Sequence, residues 1–229
     1  MNGLKIFHGS EKIIEKPIYG FGKEHNDFGL GFYCTESEAL AKEWACSSLT
    51  GGYANQYIID TTGLNILQLN SNAYNILNWI AVLVTHRLFK IKTPVANRAK
   101  RYLLEHFYLD VNAYDIIIGY RDDDSYFDFA DAFLNNTITV EQLAQAMQLG
   151  KLGEQIVIKS QLAFEHLQFI GYSVADPNIY YPLRYARSAA AEEEYYRILE
   201  KTHDGLYMAD IMREGVKADD PRIPGNVSK

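Results

Sequence analysis

The sequence predicts an α+β fold, and three observations carry that prediction. Short apolar runs such as YDIIIGY at 114–120 and EQIVI at 154–158 read as strands. Longer stretches carry helical periodicity, as with Ile76, Leu77, Ile80, Leu83, Val84 and Leu88 across 72–89. The two kinds of segment are interspersed without a regular βαβ succession, and no internal repeat or low-complexity segment occurs. At 229 residues and 48% hydrophobic content the chain can bury a sizeable core, and a single domain is the favoured organisation.

The first element is a strand at 4–7 that ends on His8, Gly9 and Ser10. A histidine at a strand end is more often satisfied packing than chemistry, so this triplet alone carries little. The loop 13–26, with Pro17, Gly20 and Gly22, is long enough to form a lid or wall. It leads into DFGLGFYCTESEALAKEW at 27–44, the stretch around which the chain is organised. Asp27 and Gly29 read as a turn, Gly31 as a close backbone approach, and Phe32 and Tyr33 as the start of a strand. Thr35 and Glu38 have capping-box spacing for a helix with Leu40 and Trp44 on its docking face.

A strand at 54–59 closes on the turn 61–63, and the helix 72–89 follows, with Trp79 read as packing or rim. Pro94 breaks the chain before a helix at 96–107 whose Arg98, Lys100 and Arg101 form a solvated face. The strand 114–120 runs into Arg121, Asp122, Asp123 and Asp124. Three adjacent acids fit a helix N-terminus, a polar wall beside Arg121 or, least well, a metal site. Helices at 128–134 and 140–149 come next, the second with Thr139 and Gln142 at capping-box spacing, and Gly150 and Gly153 flank a turn into EQIVI. Side chains alternate along a strand, so only one of Glu154 and Gln155 can face a given site. A turn at 160–164, a strand at 167–172, a helix from Pro182, another at 207–213 and a frayed polar tail at 215–229 complete the chain.

Several function classes are disfavoured. A net charge of −7 and a pI near 5.4 argue against broad, salt-driven nucleic-acid binding. The glycines of 20–31 form neither a GxGxxG nor a Walker loop. Cys34 and Cys46 have no metal-ligand partners at useful spacing and read as reduced structural thiols. The opening MNGLKIFHG has no leader pattern, and no run of eighteen apolar residues occurs, so the expectation is a cytoplasmic protein away from membranes.

The order of HGS at a first strand end, DFGLGFYCT before a helix, and a late strand opened by Glu-Gln resembles the ADP-ribosyltransferase superfamily, in its His-Tyr-Glu branch. More closely, DFGLGFYCTESEALAKEWA, YDIIIGYRDDDSYF and LGEQIVIKSQLAF are together similar to the bacterial DUF3990 family, over residues 4–172. The resemblance implies an ADP-ribosyltransferase-like split, mostly antiparallel sheet over 1–175, a helical extension packed on it at 176–214, and the tail 215–229. It also implies NAD as substrate, no metal, and transfer of ADP-ribose to a macromolecular acceptor, protein or nucleic acid. Bacterial relatives of this sort look like toxins or phage-defence effectors, which makes an antitoxin a plausible partner by analogy of fold.

Residue by residue, the resemblance assigns His8 to a ribose of NAD, the Gly9 backbone to the nicotinamide amide and Ser10 to a ribose contact. Tyr33 takes the place of the aromatic that stacks on nicotinamide, with Gly29, Gly31, Phe32 and Thr35 around it. Glu154 takes the catalytic glutamate's place, or, one residue on, Gln155; Glu154 is preferred. The choice matters because cleavage of the nicotinamide-ribose bond creates an oxocarbenium-like centre that a carboxylate stabilises and an amide stabilises far less. Arg121, Asp122, Asp123 and Tyr126 are assigned to the acceptor side. An inert interaction module that keeps the pocket, or an NAD glycohydrolase, would carry the same pattern.

Overall fold

The computed structural model describes residues 3–89, 91, 93–121, 124–147, 154–201 and 204–225, with the backbone alone at 124–126. The expected α+β fold is present, and its strands fall into two sheets. In the first, β1 (Gly3–Ser10), β3 (Gly52–Asp60) and β7 (Leu167–Ala175) pair antiparallel in the order β1-β3-β7. In the second, β2 (Phe32–Cys34), β6 (Glu154–Ile158), β5 (Ile116–Tyr120) and β4 (Ile66–Gln68) lie in the order β2-β6-β5-β4. Only β4 runs parallel to its neighbour.

Among the described residues, one backbone bridge links the two sheets. Phe7 and Thr35 exchange backbone hydrogen bonds of 2.7 and 2.9 Å, so β1 touches β2 and then diverges from it. That divergence splits the sheet next to His8. Alternation along the strands builds the layers on either side. Ile116, Ile156 and Ile158 pack with Ile6, Tyr57 and Ile59 of the first sheet. Ile117 and Val157 pack the other way, onto a helical layer centred on α2 (Ile76–His86). Trp79 of α2 is fully buried and its indole N–H donates to the Tyr120 carbonyl at 3.3 Å, which is the packing role expected of it.

The helix after β2 starts later than its capping-box spacing suggests. Thr35 is held in extended chain by its pairing with Phe7, so Ser37 becomes the N-cap of α1 (Glu38–Ala45), accepting from the Leu40 amide. Glu38 turns instead to Lys42 and to the Ser173 hydroxyl. The Thr139 and Gln142 box does form, at the start of α5 (Val140–Ala146), whose expected last residues, Gln148 and Leu149, lie outside the described ones together with Gly150 and Gly153. The helix 72–89 is shorter than its periodicity, because Asn75 and Asn78 form a capping box and fix its start at Ile76.

Around this core lie α3 (Pro94–His106), α4 (Asp124–Leu134) and the short α6 (Gln161–Glu165). The helix expected from Pro182 begins five residues earlier, as α7 (Pro177–Glu200). Asp176 caps it, and Pro177 is tolerated in the first turn, where its missing N–H has no helical partner. It packs on α1 through Arg187 and Glu43 and on α4 by the stacked rings of Phe129 and Tyr195, 3.9 Å apart. After α8 (Met208–Glu214) the residues expected to fray are held up to 225. Val216 and Ile223 are buried, and Asn75 bonds the Ala218 carbonyl and bridges to Gly225. Only 226–229 fall outside the described residues. Among those described, no helix is long and apolar enough to cross a membrane.

Candidate active site

A cavity of about 710 Å³ opens where β1 and β2 part. The end of β1 supplies His8, Gly9 and Ser10, and the entry to β2 supplies Gly31, Phe32 and Tyr33. The loop between the strands forms a wall through Ile18, Phe21, Lys23 and Asp27, with Ile18 and Phe21 largely exposed. Trp44 of α1, Arg87 just past α2, Arg121 just past β5, Gln155 of β6 and Arg184 of α7 complete the lining. The loop's base is pinned by Asn55, which is fully buried and joins the Ser10 hydroxyl, the Lys12 carbonyl and the Ile14 amide.

His8 is set for one protonation state. Burial lowers its pKa, so the ring is neutral. Its Nδ1 lies 2.7 Å from the Tyr33 carbonyl, which can only accept; Nδ1 therefore carries the proton and Nε2 keeps a lone pair. The ring stacks on Phe32 with centroids 4.2 Å apart. A neutral imidazole in this tautomer can accept a hydrogen bond from a hydroxyl.

Tyr33 locks the turn that precedes it. Its hydroxyl donates to the Gly29 carbonyl at 2.6 Å and accepts from the Phe28 amide at 3.1 Å. Gly29 permits this closure because its φ is +73°, a left-handed conformation that costs other residues more. Burial, then the charge of Asp27, raises the Tyr33 pKa, so the phenol stays protonated.

The two candidate side chains of the late strand face opposite ways. Gln155 is buried, borders the cavity and lies on the Tyr33 face of the sheet, since Tyr33 is paired with Val157. Glu154 points the other way, is exposed, and accepts from Asn70 at 3.0 Å. The preferred catalytic candidate is thus outside the cavity and the amide alternative is inside it. The Gln155 amide donates to Asp27 at 2.6 Å and to the Tyr120 carbonyl at 2.8 Å. Asp27, itself buried, also faces Arg87, Nε to Oδ1, at 3.7 Å.

His8, Gly9, Ser10, Gly31, Phe32, Tyr33, Gln155 and Arg121 are brought together; Glu154, Gly29 and Thr35 are not. Gly29 borders a separate hollow of about 310 Å³ with His86 and Lys159, and Thr35 is buried in its bridge to Phe7. Asp122 and Asp123 lie outside the described residues, as does the side chain of Tyr126. The Arg121 guanidinium lies over the Trp44 ring, 4.0 Å from its centroid. Sequence reasoning missed Asp27 as more than a turn residue, and Trp44, Arg87 and Arg184 altogether as cavity residues. Asp27 had a signal, lying in the same stretch as Tyr33. Arg184 had none, because it arrives on a helix outside every motif.

Among the described residues, Lys23, Arg87, Arg121 and Arg184 give the lining four cations against the one carboxylate of Asp27, in a chain whose net charge is −7. Such a concentration of cations in a concave site suits a ligand carrying phosphates. Among the described residues no three His, Cys, Asp or Glu side chains gather as a metal site would need.

Fold and site together define an α+β protein with a split sheet that opens on a cationic, aromatic-walled cavity. The chain belongs to the DUF3990 family, described as a protein of unknown function, whose model matches residues 4–169. That span runs from β1 into β7 and leaves Arg184 beyond it. No curated protein and no solved structure matches the chain.

Proposed function

We propose that this protein binds NAD in the cavity between β1 and β2, cleaves the nicotinamide-ribose bond, and transfers ADP-ribose to a macromolecular acceptor. The observation that carries the reading is the pairing, in one 710 Å³ cavity, of a neutral His8 with an available lone pair and four cationic side chains. The first suits a ribose hydroxyl and the second a pyrophosphate, and these are the two polar chemistries of a dinucleotide. The Phe32 and Tyr33 rings supply apolar surface for a base or for nicotinamide. A cytoplasmic setting, where NAD is abundant, belongs to the same proposal; a toxin-like role with an antitoxin partner rests on the resemblance alone.

In this reaction the bond between C1′ and the pyridinium nitrogen breaks, and its electron pair leaves with nicotinamide. The acceptor's lone pair then bonds C1′ and its proton goes to water. Exclusion of bulk water by the 13–26 wall would favour transfer over hydrolysis. The inward Gln155 favours one second reading, an inert module that binds NAD without cleaving it.

Purified protein, NAD labelled in its adenylate phosphate, and cell extract as acceptor test the reading. Nicotinamide release with label entering macromolecules is the expected result. Free ADP-ribose alone indicates a glycohydrolase, and NAD binding without release indicates the inert module.

A further inference from the structure

Resting on the NAD-cleaving reading, we infer that Asp27 supplies the carboxylate that faces the ribose C1′ during cleavage, and that Gln155 is its positioning residue. The usual expectation would look to the late strand for a carboxylate. Here that strand offers only an amide to the cavity, and the amide is fully committed. Its two contacts, the Asp27 carboxylate and the Tyr120 carbonyl, are both acceptors, so both amide hydrogens must point at them and the amide orientation is fixed. The Gln155 carbonyl oxygen is left as an acceptor, suited to a ribose hydroxyl.

Among the described residues, Asp27 is the one acidic side chain that lines the cavity, and 5% of it is exposed. The Gln155 amide holds Oδ2, and Arg87 stands 3.7 Å from Oδ1. A buried carboxylate held this way is pre-oriented, which is what stabilising a transient positive centre requires. As the C1′–N bond breaks and nicotinamide takes the electron pair, the charge that develops on C1′ and the ring oxygen would face Asp27. The carboxylate takes up no proton in this step, and the acceptor's proton is lost to water.

Nicotinamide release and NAD affinity, measured for wild type, Asp27→Asn, Asp27→Glu, Gln155→Glu, Gln155→Ala and Glu154→Gln, test this. Asp27→Asn should lower kcat by about 10²–10³-fold with NAD affinity changed only a few-fold. If that variant does not fold, Asp27→Glu, which keeps the charge and displaces it, should still bind NAD and lose kcat. Gln155→Glu sets a second carboxylate against Asp27 and should slow release, where a site merely short of a carboxylate would speed up. Gln155→Ala should lower kcat more than it raises KM and shift the acid limb of the pH profile, because Asp27 loses a donor. Wild-type rates in Asp27→Asn, faster release by Gln155→Glu, or loss of activity in Glu154→Gln would each overturn the assignment while leaving NAD cleavage standing. No release by the wild type overturns both together.

Discussion

Gln155 and Asp27 stand 128 positions apart in the chain, yet the amide of one donates to the carboxylate of the other at 2.6 Å inside the protein. This bond ties the loop before β2 to the strand beside it and fixes the polar floor of the cavity. Replacing Gln155 by Ala takes one donor from the buried Asp27 carboxylate and one from the Tyr120 carbonyl, and stability should fall by about 1–3 kcal/mol. Urea unfolding measures it; an unchanged midpoint would mean that the bond contributes nothing to the fold.

Tyr33→Phe removes one hydroxyl that both donates to Gly29 and accepts from Phe28. The 27–31 turn should lose about 1–3 kcal/mol of support. Calorimetric titration should show weaker NAD binding as well, since the loosened turn carries Asp27.

Gly31→Ala sets a methyl group 2.6 Å from Val157 Cγ1 and 3.1 Å from the Ile158 carbonyl. Valine is stiff at χ1 and the carbonyl belongs to the ladder, so neither gives way readily. Destabilisation of about 1–3 kcal/mol is expected from such overpacking, read from the thermal midpoint.

Arg187 holds Glu43 through two hydrogen bonds, of 2.8 and 3.0 Å, where the Glu43 side chain is only 4% exposed. Arg187→Ala strands that carboxylate, at a cost of about 3 kcal/mol or more. Because the pair joins α7 to α1, which carries Trp44, the variant should also weaken NAD binding; Glu43→Gln paired with Arg187→Ala should recover part of the stability.

Burial lowers the pKa of His8, and burial followed by the charge of Lys159 lowers that of His86. An unfolded chain takes up these protons first as pH falls below about 6.5. The stability they represent is therefore complete above that value and is lost as pH falls through the folded pKa values. The thermal midpoint should decline over this interval, and His8→Asn, which keeps an N–H donor for the Tyr33 carbonyl but does not titrate there, should flatten the decline. NAD affinity should fall over the same range, as Nε2 gains a proton.

The fold was legible where local pattern and tertiary demand agree. Strands such as EQIVI needed only a short apolar run, and the Thr139 cap only spacing. Thr35 was misleading because a capping box is a local signal, and pairing with Phe7, a long-range one, outweighed it. The same limit holds at the site. His8, Phe32 and Tyr33 could be found because each sits in a motif, whereas the choice between Glu154 and Gln155 depends on which face of β6 meets the cavity. Asp27 reads as turn chemistry, since its partner lies across the sheet. Arg184 reads as an exposed helical charge until α7 is folded against α1.

A crystal structure with a non-cleavable NAD analogue tests the central claim most directly. The account predicts the adenosine-side ribose against His8, the pyrophosphate among the arginines, and the nicotinamide ribose with C1′ facing Asp27. An analogue bound outside this cavity, or with its nicotinamide ribose turned toward Glu154, would contradict it.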